Sequence, residues 1–141
     1  KIMMGLADTY KESGWLPEWA SPGHRDCMIG SNSATIIADA FIKGNLQADT
    51  NILFEAVLKN ANVEQGRPVS SVGREGLEYY NKLGYIPYNV DINENAARTL
   101  EYAFADFTIA KMAEKMNKKE IADHFYLQSF DPSNERPIQN G

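Results

Sequence analysis

The chain has 141 residues, 43% of them apolar and 23% charged, and a formal net charge of −5. That is enough for one domain with its own core, and the balance is that of a folded chain rather than a disordered one. An acidic surface repels phosphate backbones, the basic residues are scattered, and no apolar run nears the roughly 20 residues of a membrane helix. Nucleic acid is therefore a poor partner, and no membrane span is expected.

The lone cysteine, Cys27, has no internal disulfide partner and lacks zinc-site spacing, so it reads as a reduced, inert thiol. No signal peptide is visible at the N-terminus, and the chain opens at Lys1 without an initiator Met, so an upstream start is expected.

Residues 2–12 read as a short helix stopped by Gly14. A loop over 14–27 follows, Gly-Trp-Leu-Pro-Glu-Trp-Ala-Ser-Pro-Gly-His-Arg-Asp-Cys, whose prolines and glycines disfavour helix and strand alike. Ser31 is placed to cap a helix over 32–43, and Gly44 to end it. That helix is apolar almost all round (Ala34, Ile36, Ile37, Ala38, Ala40, Phe41, Ile42), a pattern that implies burial on most faces. Asp39 sits inside the run.

Asp49 or Thr50 caps the next helix, over 50–63, with a core stripe of Leu53, Ala56, Val57 and Ala61 and an outer Glu55–Lys59 pair. Residues 73–84 suggest a short helix with Gly84 as C-cap, and Tyr85–Tyr88 runs extended before and after Pro87. The strongest helical signal covers 93–117. Asp91 or Asn93 would cap it, and Ala96, Leu100, Ala103, Phe107, Ala110 and Met112 or Ala113 would face inward. A last helix covers 118–129, with Ile121, Ala122 and Phe125 inward. The sum is an all-α chain of five or six helices joined by long loops, the kind of loop that carries function on a rigid scaffold.

The loop Gly14-Trp15-Leu16-Pro17-Glu18-Trp19 is the first candidate site. Two indoles bracket a carboxylate, and sugar sites need flat apolar faces and hydroxyl-accepting carboxylates. The alternative is a satellite core under the loop. Glu18, Asp26 and Asp39 are the carboxylates near enough in sequence to pair as acid and base. Asp39, on an apolar helix, is expected to need a cation, with Arg25 and Arg74 as choices; a structural ion pair competes there with catalysis. Asp91-Ile-Asn93-Glu-Asn95 imitates the start of a calcium loop but has Ala96 and Tyr102 where Gly and Glu are required, so it reads as helix capping. His24 and His124 share no metal motif, and His124 reads as a surface or edge residue. Gly73-Arg-Glu-Gly76 lacks the spacing of a phosphate loop.

Several segments, in this order, resemble glycoside hydrolase family 92. They are Gly14–Trp19, Met28-Ile29-Gly30 with Ile37–Gly44, Gly73–Leu77, Leu83–Pro87, and Thr99–Phe107 with Ile109-Ala110. The resemblance implies a calcium-assisted, inverting, exo-acting α-mannosidase that pairs a β-sandwich with an (α/α)6 barrel, a helical toroid. On that reading, residues 1–141 form part of the barrel domain, made of helical hairpins with long loops. The partners would be a mannose-containing glycan and the rest of the same enzyme, and export from the cytoplasm follows by analogy. The acid and base motifs of the family have no counterpart here, so no catalytic residue carries over; Trp15, Glu18, Trp19 and Asp39 carry over as sugar-binding or supporting positions. No calcium ligand is evident in the segment. One departure is the direct junction of Phe125–Ser129 with Phe130-Asp131-Pro132, shorter than the family pattern, which suggests a deletion or missing residues. The competing reading is a stand-alone helical module that binds carbohydrate or protein without catalysis.

Overall fold

The structure, a computed structural model, describes residues 1–19, 28–64 and 73–129. Among them are six helices: α1 (Ile2–Ser13), α2 (Asn32–Ile42), α3 (Thr50–Asn62), α4 (Leu77–Leu83), α5 (Asn95–Lys115) and α6 (Lys119–Gln128). The only β-type pairing among the described residues is an isolated bridge between Glu64 and Arg74. The all-α expectation therefore holds, with element boundaries close to those read from periodicity.

The 21-residue α5 is the axis of the fold. It packs along α6 and α2, while α1 and α3 close the far side. Most core side chains lie between these helices: Leu16, Ile37, Leu53, Val57, Ile109, Met112 and Phe125 are among those sealed from solvent. The stripes expected on α3 and α6 are the ones buried, since Leu53, Ala56, Val57 and Ala61 face inward, as do Ala122 and Phe125. A smaller cluster joins Leu77, Tyr80 and Ile86 to Tyr102 of α5.

Two helix faces differ from the expectation. On α5 the buried residues are Arg98, Tyr102, Ala105, Asp106, Ile109, Ala110, Met112 and Ala113. Leu100 and Phe107, expected inside, lie outside with Phe104. Both faces of α5 are apolar enough to satisfy the periodicity, and Arg98 and Asp106 disguise the true core face as a polar one. On α2 the buried side is Ser33, Ala34, Ile37 and Ala38, whereas Ile36 is 51% exposed. Burial on most faces of α2 is thus not reached within the described residues.

The short α4 begins later than the pattern suggested. Gly73 and Gly76 take left-handed backbone angles, φ +83° and +77°, which bend 73–76 into a turn that no helix tolerates. The Glu64 carboxylate then accepts hydrogen bonds from the Gly76 and Glu78 amides at 2.8 and 3.0 Å. Neither Asp91 nor Asn93 caps α5 by its side chain. Glu94 is the capping position, in left-handed backbone, and the Asn93 carbonyl accepts from Arg98 Nε. At Gly30, φ is +87° and an added Cβ would stand 2.9 Å from Cβ of Glu101, so the entry to α2 is pressed against α5.

The polar knot of the fold is Arg74 with Asp106. Both are buried, with Nη1 and Oδ1 2.7 Å apart. Arg74 Nε donates to Ser31 Oγ at 3.1 Å, and its guanidinium lies 4.9 Å from the centre of the Tyr102 ring. The Tyr80 hydroxyl reaches both Asp106 Oδ2 and the Gln128 carbonyl at 2.9 Å. Arg74 Nη2 has no hydrogen-bond partner among the described residues, and the aromatic face of Tyr102 compensates part of that cost. Replacing Arg74 by Met is expected to cost about 3–5 kcal/mol, because the charge on Asp106 stays buried alone. The double variant Arg74→Met/Asp106→Leu is expected to recover most of the loss, read as the shift of a denaturant midpoint.

Candidate functional site

The Trp15–Trp19 loop leaves α1 through Gly14, whose left-handed backbone (φ +79°) lets its amide bond back to the Tyr10 carbonyl. Leu16 drops into the core as a plug. Its backbone is clamped by the buried side chain of Asn60 on α3: Oδ1 accepts from the Leu16 amide at 3.3 Å, and Nδ2 donates to the Leu16 carbonyl at 3.2 Å. Lys59, one residue earlier, donates to the Gly14 carbonyl at 2.8 Å and lies 4.3 Å over the Trp15 ring. The expected Glu55–Lys59 pair is not what engages these groups, since Glu55 accepts from the Tyr10 hydroxyl instead.

Glu18 is set against the start of α2. Its carboxylate accepts from the Ser33 amide at 3.1 Å, the Ser33 hydroxyl at 2.8 Å and Asn60 Nδ2 at 3.2 Å. Ser31 occupies the N-cap position but makes no side-chain cap bond, its hydroxyl being taken by Arg74. Glu18 thus does the capping that Ser31 was expected to do, from 15 residues away. Burial pushes the Glu18 carboxyl above its ordinary value, and the hydrogen bonds from Ser33 and Asn60 pull it part of the way back.

Trp19 follows with its indole 49% exposed, so the two tryptophans divide the two readings of the loop. Trp15 is anchored against Lys59, and Trp19 is the more exposed of the two. Asp39 is elsewhere. It is exposed and paired with Lys43 at 2.8 Å, one turn along α2, about 9 Å of helical rise beyond Ser33. The expectation of a buried Asp39 matched by Arg25 or Arg74 is corrected: Arg74 belongs to Asp106, and Arg25 lies outside the described residues, as do His24, Asp26 and Cys27. A polar residue on an apolar helix escapes the burial cost when it falls on the open side. Glu18 and Asp39 thus engage different partners, Ser33 and Asn60 for the one and Lys43 for the other.

A second recess, about 380 Å³, is lined by Glu64, Glu75, Gly76, Glu78, Tyr79, Val90, Asp91 and Ile92. It is acidic, yet Glu64 is occupied by the α4 amides and Glu75 pairs with Arg98 at 3.0 Å. Asp91, read from sequence as a capping residue, sits here in left-handed backbone, φ +54°. Among the described residues no three Asp, Glu, His or Cys side chains converge to hold an ion.

The family model of the glycosyl hydrolase family 92 catalytic domain matches residues 1–133. The chain belongs to glycosyl hydrolase family 92. Its helices superpose on a family 92 inverting mannosidase from Bacteroides thetaiotaomicron with a TM-score of 0.81 and 47% identity, over 88% of this chain and 17% of that one. A second family 92 α-mannosidase of the same organism, solved in complex with mannoimidazole, matches with a TM-score of 0.78 and 27% identity, over 91% of this chain and 16% of that one. An uncharacterized secreted glycosidase of Arthroderma benhamiae is 36% identical over 124 residues, 81% of this chain and 16% of its own length. The chain thus spans about a sixth of the relatives it matches. Its helices are a portion of the (α/α)6 barrel of family 92.

Several important residues of this family 92 chain escaped sequence reasoning. Asn60 looks like one polar residue near the end of α3, and nothing local marks it as a clamp. Glu64 gave no local signal either, and nothing local marked Asp106 as the partner of Arg74, although Arg74 and Asp106 both lie in segments that carried the resemblance.

Two outcomes test the loop's attachment. Glu18→Ala is expected to cost about 1–3 kcal/mol by removing the acceptor of the Ser33 amide, the Ser33 hydroxyl and one Asn60 Nδ2 bond, measured by denaturant unfolding. The folded-state carboxyl of Glu18 lies above its ordinary 4.5, so its ionised form is disfavoured by folding. Stability from this group rises as pH falls from neutral through the raised value, and levels off below 4.5. Glu18→Gln is expected to flatten that part of the pH profile, and an unchanged slope would refute the assignment.

Proposed function

We propose that the chain is part of a larger inverting, exo-acting α-mannosidase that releases terminal mannose from glycans. In it, this segment supplies barrel scaffold and one aromatic contact for the sugar. The observation that supports the reading is the Trp15–Trp19 loop, fixed by Glu18, Lys59 and Asn60 so that Trp19 keeps an open indole face. Fixing the chain ahead of an exposed indole lowers the ordering cost of stacking on it.

The roles divide accordingly. Trp19 is the stacking surface. Trp15 and Glu18 are positioning residues, because one is covered by Lys59 and the other already accepts three hydrogen bonds. Asp39 is exposed on α2 and shared with Lys43, so it is at most a supporting contact. Inversion requires two carboxyl groups about 6.5–9.5 Å apart with a water between them. Glu18 is engaged by Ser33 and Asn60, and Asp39 pairs with Lys43, so the acid and base are assigned to the remainder of the polypeptide.

Calcium dependence is part of the same proposal for the whole enzyme. The described residues do not fit a calcium site, so its ligands are assigned outside them. Export is proposed as well, supported by the secreted description of the Arthroderma relative.

The test is hydrolysis of an aryl α-mannoside by the full-length polypeptide and by the isolated 141 residues, each with and without a chelator. Activity confined to the full-length protein and abolished by the chelator is the expected result. Turnover by the isolated chain would overturn the placement of the acid and base, and sugar binding without turnover by the full-length protein would favour a non-catalytic module. Within the active protein, Trp19→Ala is expected to raise KM about three- to tenfold, the worth of one aromatic contact.

A further inference from the structure

The outer side of α5 carries Leu100, Phe104 and Phe107, which are 68%, 55% and 44% exposed. Their spacing, i, i+4 and i+7, puts them in one ridge along the helix, opposite the core face of Tyr102, Ala105, Ile109 and Met112. A helix on the surface of a finished domain has one apolar stripe and a polar opposite face. Here α5 has two apolar sides. Its neighbour α2 repeats the pattern, with Ile37 and Ala38 buried and Ile36 left 51% exposed.

The ridge is poor in charge. Glu101 is drawn toward Gly30, and Lys111 turns to Glu114 at 3.2 Å and to the Phe107 and Tyr126 rings. Two phenylalanines and a leucine at this spacing are what a packed helix needs, and each aromatic has roughly 150–250 Å² to bury. A helical partner from the same polypeptide is at hand, because the matched region is only 16–17% of the matched relatives.

We propose that the Leu100–Phe104–Phe107 ridge is the docking face for another helix of the same polypeptide, so that α5 is an interior helix with cores on both sides. This rests on the reading that the chain is part of a longer barrel enzyme. The sequence periodicity of α5 then satisfies two partners at once, which is why either face alone seems a credible core.

The experiment uses the full-length polypeptide with its natural cysteines replaced by serine and a single probe, Phe104→Cys, against an exposed control, Asp8→Cys. The rate of labelling by a small maleimide is measured alongside mannoside hydrolysis. The expected result is labelling at position 104 about 100-fold slower than the control and independent of protein concentration, since a docked side chain reacts only on local opening. Labelling at the control rate overturns the proposal. Protection that disappears on dilution assigns the face to a second copy, and protection that appears only with a bound mannose-type inhibitor assigns it to the sugar site; either overturns it too. A second variant keeps the test independent of the cysteine. Leu100→Lys is expected to lower the melting temperature of the full-length protein, and an unchanged melting temperature counts against docking. Hydrolysis reports separately: an inactive protein with a protected position 104 refutes the mannosidase reading and keeps the docked face.

Discussion

The buried Arg74–Asp106 pair is the constraint on which the arrangement of segments depends. An ionised pair withdrawn from water is costly unless most of its remaining donors and acceptors are met. Those partners come from every direction: Ser31 at the start of α2, Tyr102 on α5, Tyr80 on α4, and through Tyr80 the last turn of α6. Apolar contacts slide at small cost, whereas a guanidinium that donates to a hydroxyl and faces a carboxylate has one geometry. The pair therefore sets how the α4 cluster meets α5, beyond what Leu77 and Ile86 enforce by packing.

A second theme is capping at a distance. The N-termini of α2 and α4 both receive glutamate carboxylates from outside the helix, Glu18 and Glu64 respectively. Local capping ties a helix only to its own preceding turn. A remote carboxylate ties the helix to another segment, and it still meets the exposed amides and the positive end of the dipole. For α2 the tied segment is the tryptophan loop, so the start of a scaffold helix and the orientation of Trp19 are one structural decision. Lys115 does the converse at the other end of α2, donating to the Ile42 carbonyl at 2.6 Å. Charges at both ends thus join α2 to its surroundings, and Gly30 permits the close approach to α5 that makes this possible.

For the barrel, these anchors explain how a loop of little regular structure can act as a fixed surface. Leu16 seals it below, Asn60 holds both polar groups of its backbone, and Lys59 covers one indole. The carboxylate that looked like chemistry in the sequence is structural, and the aromatic beside it is the group left available. On the proposed reading, sugar contact and scaffold share a six-residue stretch but not the same residues.

Helix number, the glycine stops, the head of α3 and the stripes of α3 and α6 were legible in the sequence because they depend on short-range rules. Periodicity near 3.6, glycine at left-handed C-caps and Asp49 at the head of α3 act within a turn or two of chain. The family was legible for a related reason, since its segments recur in order along the chain. The sequence did not decide which side of α5 is core, because a helix with two apolar faces satisfies the same period either way. It did not decide that Asp39 is exposed while Asp106 is buried, because a buried charge depends on a cation supplied by another segment, here Arg74. Nor did it assign Glu18 to capping, which required the start of α2 to be brought beside it. Those choices are tertiary: each turns on contacts between residues 15 to 45 positions apart, and no local rule carries that information.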